Sequence, residues 1–70
     1  MKQKFIVAYI SFFENDLTQT LVEAESAIEA ANIILVSHGY TYDTNEFNTL
    51  EKLSLEVFNS AVCINVMEIL

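Results

Sequence analysis

The segment that most restricts the fold of this chain is Lys4–Phe13, KFIVAYISFF. It is rich in β-branched and aromatic residues and short for a helix, so it reads as a strand. Alternation sends Phe5, Val7 and Tyr9 to one face and Ile6, Ala8, Ile10 and Phe12 to the other. Both faces are apolar. A strand with one wet face would alternate with polar residues, so this one belongs at the centre of a sheet, covered on two sides.

The rest of the chain is arranged around it. Glu14-Asn15-Asp16 is a turn signal of hairpin length. Leu17–Ala24 is more polar and threonine-rich, as suits the outer strand of an antiparallel hairpin. Ser26-Ala27-Ile28-Glu29 is a capping box, in which the serine oxygen accepts from the N–H of Glu29 and the glutamate reaches back to Ser26. The helix it opens runs through His38, and Gly39 stops it in a left-handed conformation. Ala27, Ala31, Ile34 and Leu35 share one face of this helix with Ile28 beside them, a broad apolar arc that implies contact on more than one side.

Tyr40–Glu46 forms a polar, aromatic loop. A second helix is expected over Leu50–Asn59, capped by Asn48 or Thr49. Phe47, Leu50, Leu53 and Val57 point inward, Glu51, Lys52 and Glu56 point outward, and Leu55 and Phe58 fit the inner face less well. Ala61–Ile69 is a third strand, with Val62, Ile64 and Val66 on one face and Cys63, Asn65 and Met67 on the other. The expected architecture is α+β: one domain over residues 1–70 in the order β-β-α-α-β. Its antiparallel-type sheet has strand order 2-1-3, with the helices on one face.

A chain of 70 residues buries only about 60% of the surface that it exposes when unfolded. Small folds usually compensate with disulfides, a metal or self-association. Cys63 is the sole cysteine, so no internal disulfide forms, and it has only His38 for company where zinc wants four N/S ligands. Self-association remains, and 53% hydrophobic residues is a high share for so short a chain. The second face of the sheet needs a cover, and another copy is the simplest one, so a homodimer is expected.

Ten acids against three bases give a formal net charge of −7. Lys2, Lys4 and Lys52 form no basic patch, which argues against direct contact with nucleic acid or an anionic membrane. No run approaches the roughly 20 apolar residues of a membrane span, and no signal-peptide pattern is legible. A cytoplasmic location with a reduced Cys63 is the expectation.

Catalytic candidates are few. Histidine is the side chain best suited to acid–base work at neutral pH, but the sole one, His38, lies in the last turn of its helix before Gly39 and reads as a capping residue. Cys63 sits in an apolar strand without a neighbouring basic residue to activate it, so an inert thiol is expected. No cofactor is called for, and a non-enzymatic role follows. The acids Glu23, Glu25 and Glu29 surround the strand–helix junction, Asp43 and Glu46 lie in the loop, and Glu51 and Glu56 lie on the second helix. They form a solvated face or a surface for a basic partner. Tyr40 and Tyr42, with Phe12 and Phe13, flank loops and serve either as interface aromatics or as the rim of the core.

The opening Lys4–Glu25, the junction VEAESAIEA at residues 22–30 and the acid-rich, proline-free composition are similar to small acidic accessory proteins of large tailed bacteriophages. That resemblance implies a protein made during infection, acting in the host cytoplasm by binding and redirecting or inhibiting a host protein; it assigns no residue roles. The leading expectation is thus a protein-binding modulator or inhibitor that occupies a surface of a larger, nucleic-acid-handling protein. Its surface candidates are the seven acids with Tyr40 and Tyr42. An acidic mimic of nucleic acid blocking a basic groove, and a self-assembling structural protein, are the alternatives.

Overall fold

The computed structural model describes residues 2–43 and 45–69. β1 (Gln3–Ser11) and β2 (Asp16–Ala24) form a hairpin, α1 (Ala27–Ser37) and α2 (Leu50–Phe58) follow, and β3 (Val62–Ile69) closes the sheet. The strand order is β2-β1-β3 with both pairings antiparallel. The doubly apolar strand is therefore central, and the β-β-α-α-β expectation holds.

One face of β1 makes the core. Phe5, Val7, Tyr9 and Ser11 are buried, and register sets Val22 and Val66 beside Phe5 and Val7, and Ile64 and Val62 beside Tyr9 and Ser11. The helices close over this face. α1 contributes Ala30, Ala31, Ile34 and Leu35, and α2 contributes Leu53 and Val57, each at the i, i+3, i+4 spacing that aligns side chains on one side of a helix. Ala30 is fully buried, whereas Ala27 and Ile28 only edge the core, so the buried stripe is rotated slightly from the one expected. Leu55 and Phe58 are exposed, consistent with their poor fit to the inner face of α2.

The helix ends follow the sequence closely. The Glu29 N–H donates to Ser26 Oγ at 3.2 Å, while the Glu29 carboxylate accepts from the N–H of Glu25 at 3.3 Å. The return arm of the capping box thus lands one residue earlier than expected. At the other end the Gly39 N–H donates to the Val36 carbonyl and the Tyr40 N–H to the Leu35 carbonyl, a Schellman motif with Gly39 at φ 90°. Thr49 rather than Asn48 caps α2, accepting from the Lys52 N–H at 3.2 Å; Asn48 Oδ1 instead takes the Lys52 Nζ at 3.4 Å.

Several boundaries differ from the sequence reading. β1 ends at Ser11, and Phe12–Asn15 forms the turn. The Phe12 N–H is drawn off to the Ala61 carbonyl (2.9 Å), Ser11 Oγ accepts from the Glu14 N–H, and Asn15 takes φ 55°. Asparagine tolerates that left-handed region, so the turn closes there and Asp16 enters β2. Ala61 stands before β3 at φ 59°, where a strand residue cannot sit. Among the described residues nothing covers the second face of β1, where Ile6, Ala8 and Ile10 are half-buried, so the cover expected on two sides is present on one.

Candidate interaction surface

Two kinds of surface result from this layering. The first is the bare side of the sheet. Register arranges it in rows across β2, β1 and β3: Leu21–Ile6–Met67, then Gln19–Ala8–Asn65, then Leu17–Ile10–Cys63. Leu17, Leu21 and Met67 are 69%, 60% and 62% exposed. The outer strand was expected to show solvent its polar side chains. Instead its threonines share the helix side with Val22 and Ala24, and its leucines face out. The period-2 pattern of LTQTLVEA carried that signal, because burying Val22 and Ala24 forces Leu17 and Leu21 to the other face.

The second surface is acidic. Glu25, Glu29, Asp43, Glu46 and Glu51 are exposed at the strand–helix junction, on α1, in the loop and on α2, and Glu56 is partly buried. Glu14 lies in the hairpin turn, and Asp16 and Glu68 occupy helix-side positions of their strands. Among the described strand residues, Glu23 is the one acid on the bare sheet face, in register with Lys4. Those two charges cancel, so the whole net charge of −7 lies elsewhere on the molecule. Glu46 and Glu56 come together at an open depression of about 370 Å³, which Phe47, Lys52, Leu55 and Asn59 complete.

Several candidates also hold the fold. The Asp43 carboxylate accepts from the Asn45 N–H at 2.9 Å, and its carbonyl accepts from the N–H groups of Glu46 and Phe47. Tyr40 and Tyr42 are partly buried against the core, not fully exposed. Tyr42 stacks on Tyr40 at 6.4 Å and meets Phe47 edge-on at 6.0 Å, which ties the loop to the start of α2. Phe12 and Phe13, by contrast, are exposed in the hairpin turn.

The two residues weighed for chemistry are on opposite sides of the sheet. His38 stacks flat on Tyr9, with ring centroids 3.9 Å apart and planes 7° from parallel, on the helix side. Cys63 is half-buried on the bare side beside Ile10. A cysteine–histidine pair is therefore not available to this chain. The Tyr9 hydroxyl is enclosed outside hydrogen-bond geometry to any neighbour. Burial, and secondarily the Tyr40 hydroxyl, push this phenol up to about 12, so it stays neutral and donates no charge to the site. The Tyr9–His38 stack was not legible in the sequence, since nothing local marks a contact between residues 29 positions apart.

Among the described residues, no group of three or more His, Cys, Asp or Glu is placed to hold a metal ion, and no helix is long and apolar enough to cross a membrane. Comparison with protein-family models, with curated proteins and with solved structures found no match.

Proposed function

We propose that this chain is a non-enzymatic protein-binding module that occupies a basic surface of a larger protein through its acidic, helix-bearing side. The observation that carries this reading is the segregation of charge: the net charge of −7 lies wholly off the bare sheet face. A one-sided negative field orients an incoming basic partner and speeds encounter. The depression between Glu46 and Glu56 adds a place to dock. Its walls, Phe47 and Leu55, suit the apolar stem of a partner lysine or arginine, and its acids suit the charged head. The sequence resemblance to small acidic phage accessory proteins implies that the partner is a host protein.

The test is capture by the immobilised full chain from a bacterial lysate at about 50 and about 500 mM salt, beside an E46K/E56K double variant. A specific partner should be held at low salt, released at high salt and bound on the order of tenfold more weakly by the variant. A partner retained equally under all three conditions sinks the reading. Competition by duplex DNA then tells whether the occupied surface is a nucleic-acid groove.

A further inference from the structure

We infer that the bare face of the sheet is covered by a second copy of this chain, giving a face-to-face homodimer with the acidic helix sides outward. Three observations single out a copy of the chain as the occupant. The first is charge. Two bodies of −7 repel each other over most of their surfaces. This face is the exception, because its one acid and one base, Glu23 and Lys4, are neighbours in register and cancel. It is where two like-charged copies can meet without opposing their fields.

The second is self-complementarity. A closed dimer needs a patch that matches itself under a two-fold rotation. The middle row is Gln19–Ala8–Asn65, polar at its ends and small at its centre, and an apolar row flanks it on each side. A two-fold axis lying in the interface across the strands returns the polar row onto itself and lays apolar rows on apolar rows, so that Leu21 meets Leu17 of the copy. An axis along the strands would instead lay Lys4 on Lys4 of the copy, opposing like charges. Ala8 at the centre lets the sheets approach to the roughly 10 Å spacing of packed sheets.

The third is area. Strands of eight and nine residues at about 3.3 Å per residue, three abreast at about 4.8 Å, give a face of roughly 400 Å² in projection. Corrugation raises the accessible area above that, so two copies reach the lower end of specific interfaces, about 1,000–1,200 Å² in total. Interfaces at this lower end belong to weak, reversible complexes, for which a dissociation constant of about micromolar or above is expected.

The inference stands apart from the acidic partner surface, and salt separates the two. Screening relieves repulsion between the outward acids, so the dimer tightens as salt rises, whereas binding of a basic partner weakens. The test is sedimentation equilibrium of the full chain over roughly 1–300 µM, a span that brackets the expected dissociation constant. A mass of two chains at the upper end should result, with association strengthening between about 50 and about 500 mM salt. Leu21→Lys, at an exposed edge-strand position, should raise the dissociation constant at least about tenfold while far-UV circular dichroism stays unchanged. Met67→Lys gives the same result from the opposite edge should Leu21→Lys fail to fold. Val36→Lys, exposed on α1, should leave the dimer intact. A monomer throughout, assemblies larger than two, or a dimer that survives both sheet-face changes would overturn the inference.

Discussion

Tyr9 shows what a single side chain contributes here. Its ring fills the centre of the core at 1% exposure and carries the His38 imidazole flat against it. Its hydroxyl lies near Tyr40 and Ser11 without meeting good hydrogen-bond geometry to either, so the ring carries its contribution to the core. The direction of its pKa shift gives a pH dependence. The phenol rises from 10.0 to about 12 in the fold, so the unfolded chain gives up this proton first. Below pH 10 the contribution is fully present; between pH 10 and 12 the folded state binds more protons, and stability falls as pH rises. Chemical denaturation at pH 9 and pH 11.5 should therefore show a loss on the order of 2 kcal/mol for the native chain and a smaller loss for Tyr9→Phe. Equal losses in the two proteins would remove Tyr9 from this account.

At the scale of elements, what the sequence declared depended on whether the cause was local. The capping serine, the stop at Gly39 and the alternation in β1 each act within a few residues, and each was legible. Ser11 and Ala61 were not, because the end of β1 is set by a hydrogen bond from Phe12 to the carbonyl of Ala61, 49 positions away. The outward leucines of β2 were legible in principle. Reading LTQTLVEA as polar overall hid which parity faced the helices. The stop of α1 makes a sharp prediction. A Cβ at Gly39 would meet nothing within 4 Å, so its cost is purely that of the backbone at φ 90°. Gly39→Ala should destabilise by about 1 kcal/mol, the left-handed penalty for a residue with a Cβ, without disturbing the core. Denaturant titration measures it, and a neutral or stabilising effect would mean that α1 ends by another route.

On the scale of the whole molecule, the two helices cover one side of the sheet and leave the other to solvent. The bare side carries one acid and one base that cancel, Glu23 and Lys4, so the net negative charge lies elsewhere on the molecule. The acidic candidates named from sequence do not converge on a reactive centre. They spread over the junction, the loop and α2, with only Glu46 and Glu56 drawn together at one depression. Sequence order could list these acids but could not sort them by side, because the sorting depends on strand register and on which face the helices occupy. We propose one face for self-association and another for a basic partner.

Cys63 reports on that division directly, since it sits half-buried in the bare face, within one of its apolar rows. The rate of its reaction with a chromogenic disulfide reagent, measured across the same range of protein concentration, is the decisive measurement. The account predicts a thiol that reacts readily in dilute solution and becomes protected as the concentration rises, with Leu21→Lys abolishing the protection. A rate independent of concentration would contradict it.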